Sequence, residues 1–193
     1  MTYALRRQAH TFDRVISATE RILRTDGYAR LTMERVAVKS GVAKTTLYRR
    51  WPTKAALCMD LYLEIAGREL HVPDTGDLAK DLKYIVDAVV RLQTRTAAGA
   101  AFLGLIAEAQ VNPDSRGAFL AEFAERRRAV TREVLERARR RGELRAGADI
   151  DLIIDALGGA VTFRLMQGHA PLTSKFTEGL VALVLRGCRK ARR

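Results

Sequence analysis

Two short helical segments on either side of a glycine turn constrain the fold of the first 51 residues. Thr32 precedes the segment MERVAVKS and is a favourable N-cap, with Glu34 in the first turn. Ser40-Gly41 ends this segment, and a second short helix is predicted from about residue 43 to Trp51. Helices of this length are not stable alone in water, so both must pack on neighbouring elements. The expected small core consists of Val36, Ala37, Val42, Leu47 and Trp51.

The rest of the chain has the same helical periodicity. Residues 12–23 carry apolar side chains at helical spacing and are followed by Gly27, a natural C-cap; Pro52-Thr53 opens a fourth helix, expected to end near residue 71. After a break at 71–77, amphipathic segments are predicted at 77–96, 99–111, 114–141, 149–168 and 173–190. No segment alternates with period two for long enough to predict a strand. The sequence therefore predicts an all-α chain of about nine helices.

Positive charge is concentrated in the N-terminal quarter. The chain has a formal net charge of +12, and residues 1–54 hold twelve Lys or Arg against four Asp or Glu. A basic region of this kind indicates a polyanionic partner or an anionic membrane surface. The basic tail from Arg186 onward is either a solvated helix end or an added contact to a polyanion.

A helix-turn-helix places the N-terminal residues of its second helix against base edges in the DNA major groove. Here those residues are Ala43, Lys44, Thr45 and Thr46, which are small enough at the tip for the helix to enter the groove. Lys44 can donate to guanine or phosphate, and the threonines can contact bases. Tyr48 and Arg49 lie further along, and Thr32 and Lys54 open helices whose free amides attract phosphate. Tyr48 can equally belong to the core, whereas Trp51 is assigned to the core.

The segment LTMERVAVKSGVAKTTLYRRWPTKAAL resembles the DNA-binding domain of TetR-type transcriptional regulators. The resemblance extends over about residues 10–70 and is strongest up to about residue 65. It implies a homodimeric, sequence-specific regulator, a ligand-released repressor acting on a palindromic operator. It also implies that eight residues lie at or near the DNA: Thr32, Ala43, Lys44, Thr45, Thr46, Tyr48, Arg49 and Lys54.

Three positions depart from the pattern of the family. Ala43 stands where many members carry Ser, and Ala56 where an acidic residue often completes a capping box. Arg49-Arg50 replaces a more usual Tyr/His-type pair. These departures affect which residues contact the DNA rather than the existence of the helix-turn-helix.

The domain organisation follows from these segments. Residues 1–54 are predicted to form an N-terminal arm and a three-helix DNA-binding domain, with the motif at about 32–51. A fourth helix joins it to a larger helical ligand-binding and dimerisation domain at 55–193.

A dimer surface is expected because one helix-turn-helix reads few bases, and two copies can read two half-sites. The last two helices have apolar faces, and the adjacent Gly158 and Gly159 are more easily explained if another helix approaches there. The resemblance likewise implies a four-helix bundle between subunits, although these faces can instead complete the core of one chain. The predicted interface consists of Ile154, Leu157, Gly158, Val161, Leu165, Phe176, Leu180, Leu183 and Val184.

The resemblance also implies a pocket for an apolar or amphipathic small molecule. Each proposed lining residue can also be ordinary core. The lining residues are Tyr62, Tyr84, Phe102, Ile106, Phe123, Phe163 and Met166, with Leu103 and Phe119 as further candidates.

Other classes of function have less support in the sequence. An activator or a ligand-independent DNA-binding protein of the same fold remains an alternative, as does a non-specific polyanion binder. An enzyme is disfavoured because the three histidines are far apart and HExxH, GxSxG and Gly-rich phosphate loops do not occur. No cofactor or metal site is predicted, since Cys58 and Cys188 have no ligand-like neighbours. The two cysteines fit a reduced cytoplasm, and the N-terminus lacks the apolar core of a signal peptide.

Overall fold

The computed structural model describes residues 3–118 and 123–190, which contain ten α-helical segments and no β-strand. Phe119 of the predicted pocket and the last three residues of the basic tail lie outside the described residues. The helices are α1 Tyr3–Asp26, α2 Met33–Ser40, α3 Lys44–Arg50, α4 Lys54–Glu69, α5 Leu78–Arg95, α6 Ala97–Val111, α7 Pro113–Ala118, α8 Glu125–Arg140, α9 Ile150–Gln167 and α10 Ser174–Cys188.

The all-α prediction is confirmed, and most boundaries agree with the sequence to within two residues. The first helix is longer than its apolar stripe indicated: it begins at Tyr3, because Ala, Leu, Arg and Gln support helix without marking a buried face. The segment predicted at 114–141 falls across α7 and α8, with residues 119–122 between them outside the described ranges.

Capping residues explain where several helices start and stop. The side-chain oxygens of Thr32, Asp149 and Thr173 accept hydrogen bonds from backbone amides in the first turns of α2, α9 and α10. These bonds satisfy amide groups that have no partner within the helix. Gly41 ends α2 in the left-handed conformation at φ 65°, a region that glycine enters without a steric cost.

The chain divides into two compact units. Residues 1–66 and 95–123 form unit 1, and residues 67–94 and 124–193 form unit 2. In unit 1, the five residues of the predicted small core are all buried, with Val36 and Leu47 fully inaccessible to solvent. The short helices α2 and α3 are therefore stabilised by tertiary packing, as their length requires.

Unit 2 is built on α5, α8, α9 and α10. Its buried cluster joins Leu82 and Ile85 of α5 with Leu135 of α8, Leu157 of α9 and Leu185 of α10. A partly buried polar contact accompanies this packing, since the hydroxyl of Thr177 donates to the Asp87 carboxylate at 2.5 Å. Among the described helices, none is long and apolar enough to span a membrane.

Candidate nucleic-acid interface

The helix α3 is anchored on one side and open on the other. Leu47 is fully buried and Trp51 is 2% exposed, so these two side chains fix the helix on its core. Ala43 caps the helix with no side-chain hydrogen bond, and Ala43, Lys44 and Thr45 are all exposed. The helix therefore presents a small, polar N-terminal end that a DNA groove can accommodate.

A hydrogen bond between distant residues, which the sequence did not predict, holds the turn before α3. Arg14 of α1 donates from its guanidinium to the backbone carbonyl of Ser40, 26 residues away. A Cβ on Gly41 would lie 2.5 Å from the Arg14 Nη2 atom, which is the end of a flexible side chain, so the positive φ is the feature that favours glycine here. Arg14 thus ties the end of α2 to α1.

A carboxylate on α2 holds two of the predicted DNA contacts. The Tyr48 hydroxyl donates to Glu34 Oε1 at 3.1 Å, and the Lys44 Nζ atom lies 3.8 Å from the same oxygen. The backbone amide of Glu34 and the Tyr48 hydroxyl hold the pKa of this carboxyl below its usual range. Tyr48 is 42% exposed, so its ring belongs to the surface rather than to the core.

The two arginines at the end of α3 have different environments. Arg49 is exposed and makes no hydrogen bond or ion pair within the described part of the chain. The guanidinium of Arg50 lies 4.7 Å from the ring centre of Phe12 and 5.0 Å from that of Trp51, which are cation–π distances. Trp51 in turn donates its indole N–H to Asp60 of α4 at 2.9 Å. Arg49 is available for a ligand, whereas Arg50 covers the aromatic core.

The remaining predicted DNA contacts lie at the starts of α2 and α4. Thr32 is exposed, its hydroxyl oxygen accepts from the Arg35 amide at 3.2 Å, and its side chain also hydrogen-bonds the Glu34 carboxyl. The ammonium of Lys54 is half-buried and lies 4.4 Å from the ring centre of Tyr28. Thr46 is half-buried on α3. The structure places the predicted residues on α2, α3 and the start of α4, all within unit 1.

The predicted pocket residues divide between the two units. Tyr62, Phe102 and Phe123 are buried in unit 1, with ring centres 6.0 Å apart for Tyr62–Phe102 and 4.9 Å apart for Tyr62–Phe123. Ile106 and Leu103 are half-buried on α6 in the same unit. Tyr84, Phe163 and Met166 belong to unit 2 and are more than one third exposed. Three of the seven residues therefore form one aromatic cluster.

Four residues of the predicted interface are buried within the chain itself. Ile154, Leu157, Val161 and Leu180 belong to the core cluster of unit 2, so the packing of one chain accounts for their burial. The rest are half-buried, apart from Leu183, which is 61% exposed. A Cβ on Gly158 or Gly159 would have nothing within 4 Å, so contacts within the chain do not explain these glycines.

Within residues 3–118 and 123–190, no group of three or more His, Cys, Asp or Glu side chains is arranged to hold a metal ion.

Comparison with family models identifies both parts of the chain. Residues 15–60 match the model for bacterial regulatory proteins of the tetR family, and residues 72–184 match a tetracyclin repressor-like C-terminal domain. The chain belongs to the TetR family. It is a DNA-binding transcriptional regulator, with the helix-turn-helix at α2 and α3.

Several TetR-family relatives match over nearly the whole length. A DNA-binding transcriptional repressor, TetR of Mycobacteroides abscessus, is 32% identical over 174 residues, covering 89% of this chain and 90% of the relative. The regulator AqdR of Rhodococcus erythropolis is 30% identical and covers 94% and 86% respectively. The crystal structure of the TetR-family regulator SCO0332 has a TM-score of 0.80 at 39% identity, over 92% of this chain and 97% of that one.

Proposed function

We propose that the protein is a repressor that binds a palindromic operator as a homodimer and is released by an apolar or amphipathic small molecule. The observation that carries this proposal is the exposed, compact tip of α3, which is anchored by Leu47 and Trp51 beneath it. The repressor named among its relatives supports the direction of regulation.

The roles of the DNA contacts follow from their chemistry. Lys44 and Thr45 face the bases, because they stand at the exposed N-terminal end of α3, with Ala43 and Thr46 beside them. Tyr48 and Arg49 bind phosphates further along the same helix. Thr32 and Lys54 stand at helix starts, where backbone amides and the helix dipole favour an anion.

We propose that residues 1–54 read the DNA and that residues 55–193 bind the effector and the second copy. The aromatic cluster of Tyr62, Phe102 and Phe123 is the proposed centre of the effector site. Ile106 extends it within unit 1, whereas Tyr84, Phe163 and Met166 belong to unit 2 and are not part of this proposed centre. A site lined mainly by aromatic and aliphatic groups selects apolar ligands.

Dimerisation is proposed to use the exposed apolar parts of α9 and α10. Leu183 is the most exposed residue of the predicted set, and Gly158 has room for a close approach by a second helix. Leu165, Phe176 and Val184 are half-buried and would complete the contact. Ile154, Leu157, Val161 and Leu180 would support this surface from within the unit rather than make the first contact.

Release by effector requires two conformations with different affinities for DNA. An effector that binds more tightly to the conformer with wrongly spaced α3 helices lowers operator affinity by the ratio of its two affinities. The helix α4 is the proposed lever, because it begins at Lys54 beside the DNA-reading residues and its last residues, from Gly67, belong to unit 2.

Selection of DNA from a random duplex pool by the full-length protein tests this proposal. We expect an enriched palindrome whose two halves are each protected in a footprint, since each copy reads one half-site. Enrichment of no sequence, with equal affinity for all duplexes, would show a non-specific polyanion binder instead.

Sedimentation of a charged variant tests the assembly. Leu183→Glu places a carboxylate on the proposed surface at a side chain that is already exposed, so the fold should survive and the dimer should dissociate. The control is Val111→Glu, at an 82% exposed position of α6, which should sediment as a dimer. A Leu183→Glu protein that remains as dimeric as this control would exclude the proposed surface.

A further inference from the structure

Tyr28 links the segment between α1 and α2 to α4 and α6, all within unit 1. It lies in the short segment between α1 and α2, just after Gly27. Its hydroxyl donates to Glu108 Oε2 of α6 at 2.6 Å, although the two residues are 80 positions apart. Its ring also lies under the Lys54 ammonium at the first residue of α4, 4.4 Å from the ring centre.

The ring stands directly against the backbone of α6. A Cβ built on Gly104 would fall between 2.0 and 2.4 Å from three carbons of the Tyr28 ring, which is far inside any real contact. Only glycine at this position lets the ring approach the helix so closely. Gly104 and Glu108 are one helical turn apart, so one face of α6 receives both the ring and the hydroxyl of the same side chain.

The start of α4 is in turn tied to the DNA-reading helix. Only Pro52 and Thr53 separate Lys54 from Trp51, which caps α3 and donates its indole N–H to Asp60 of α4 at 2.9 Å. A displacement of Lys54 therefore changes the position of the end of α3. Leu47 and Trp51 hold α3 against its core, so such a displacement also changes the position of the exposed N-terminal end of α3.

We infer that Tyr28 is a positioning residue for operator binding, which fixes the start of α4, and with it α3, against Gly104 and Glu108 of α6. The inference rests on the proposed DNA-reading function and extends it. Tyr28 does not contact DNA in this account. It acts through Lys54, one of the proposed phosphate contacts, by holding the ammonium over its ring.

The same helix also connects this joint to the aromatic cluster. Phe102 of α6 has its ring centre 6.0 Å from that of Tyr62, and Gly104 follows two residues later. A shift of α6 at Phe102 would be carried to Tyr28, since the close contact at Gly104 leaves the ring no free space. The Tyr28 joint, defined as Tyr28, Lys54, Gly104 and Glu108, is thus a route by which occupancy of the cluster can reach α3.

A double-mutant cycle on the full-length dimer tests the inference, with the duplex enriched by the wild-type protein and a random duplex as probes. Gly104→Ala should lower affinity for the enriched duplex by about ten-fold or more, because the added methyl displaces the ring. Tyr28→Leu should cause a similar loss. In the Tyr28→Leu background, Gly104→Ala should change affinity by no more than about two-fold, since the ring it displaces is absent.

Further variants separate positioning from general destabilisation. Tyr28→Phe keeps the ring on Gly104 and should recover most of the affinity that Tyr28→Leu loses. Affinity for the random duplex should change by less than about two-fold in every variant, because non-specific binding depends on charge rather than on the placement of α3. The fluorescence of Trp51, the single tryptophan of the chain, should change in Gly104→Ala protein that is folded by circular dichroism.

The matched control is Gly67→Ala on α4, a helical glycine whose added Cβ meets nothing within 4 Å. It should bind the enriched duplex like the wild type. If Tyr28→Leu fails to fold, the comparison of Gly104→Ala with Gly67→Ala carries the test. Equal affinities of Gly104→Ala and Gly67→Ala for the enriched duplex would overturn the inference. Equal losses caused by Gly104→Ala in the wild-type and Tyr28→Leu backgrounds would also overturn it. Neither outcome would affect the proposed function. A wild-type protein that enriches no sequence would overturn the proposed function and the inference with it.

Discussion

Two basic helical surfaces of this protein differ in how their cations are paired. On α8, Arg128 and Arg132 both donate to Asp151 of α9 at 2.7 Å, and Arg128 also bonds Asp155. The α8 sequence itself interleaves acidic residues among its arginines. On α3, the exposed Arg49 has no ion pair within the described ranges, and Lys44 lies 3.8 Å from the Glu34 carboxylate.

The comparison shows that the number of arginines does not locate a nucleic-acid surface. The α8 helix carries more arginines than α3, but carboxylates on α8 and α9 balance most of them. A phosphate that approached α8 would have to displace existing charge-assisted hydrogen bonds. The α3 cations have few such bonds to lose, which makes them the better ligands for DNA.

The largest expected effect concerns the anchor beneath the α3 surface. Leu47→Ala should lower the free energy of unfolding by about 2–5 kcal/mol, because it opens a cavity at a fully buried position. Val38→Ala also removes apolar carbon atoms, but from an 84% exposed position of α2, and should change the free energy of unfolding by less than about 0.5 kcal/mol. Urea denaturation measures both. A Leu47→Ala protein as stable as Val38→Ala would mean that α3 is not held by this contact.

Matched arginines on the two surfaces test the comparison directly. Arg49 of α3 and Arg139 of α8 are both exposed, but Arg49 has no ion pair within the described residues and Arg139 pairs with Glu136 at 3.5 Å. Arg49→Ala should reduce the slope of log affinity against log salt by about 0.9, as expected for the loss of one phosphate contact. Arg139→Ala should leave the slope unchanged. Equal changes in both variants would indicate diffuse attraction by net charge rather than a defined surface.

A smaller effect is expected from Glu34 of α2, whose carboxylate lies beside Lys44 and Tyr48 of α3. Glu34→Gln removes a negative charge beside Lys44 and a hydrogen-bond acceptor of Tyr48, which should raise affinity for random duplex by up to about five-fold. Asp155→Asn on α9, which removes a carboxylate beside Arg128 of α8, is the control and should not change the affinity for random duplex. Titration by fluorescence anisotropy at low salt measures this difference, and a loss of affinity in Glu34→Gln would show that Glu34 helps to hold the DNA contacts in place.

The pairing on α8 should be visible in the pH dependence of stability. The side-chain hydrogen bonds from Arg132 and Arg128 lower the pKa of Asp151 from 3.8 to about 2. The folded state therefore binds this proton less readily than the unfolded state, so the contribution of Asp151 is present above about pH 4 and is lost as the pH falls toward 2. Asp151→Asn should flatten the fall in urea midpoint over that interval. The effect should be small because the carboxylate is exposed. A carboxyl resonance that titrates near pH 4 would contradict the pairing.

The features that the sequence predicted correctly depend on neighbouring residues. Thr32, Gly41, Leu47 and Trp51 could be assigned because capping, positive φ and helical periodicity are properties of short segments. The TetR-like motif added the prediction of which exposed residues on α3 face the DNA.

The contacts that the sequence did not predict join residues distant in the chain. The bonds Arg14–Ser40 and Tyr28–Glu108 bridge 26 and 80 positions, and nothing in the local pattern indicates which polar side chains will meet. Periodicity likewise identified an apolar face on α9, but it could not show that Ile154 and Leu157 pack within their own chain. An apolar stripe is the same signal for an internal core and for a subunit interface.

The specificity ratio of Lys44→Ala tests the central claim, that the exposed tip of α3 reads DNA sequence. Affinities of the wild type and the variant are measured for the enriched duplex and for a random duplex at one fixed salt concentration. We expect the variant to lose about 1–3 kcal/mol on the enriched duplex and far less on the random duplex, so that the ratio of the two affinities falls. Equal losses on both duplexes, with an unchanged ratio, would contradict the claim and reduce Lys44 to a phosphate contact.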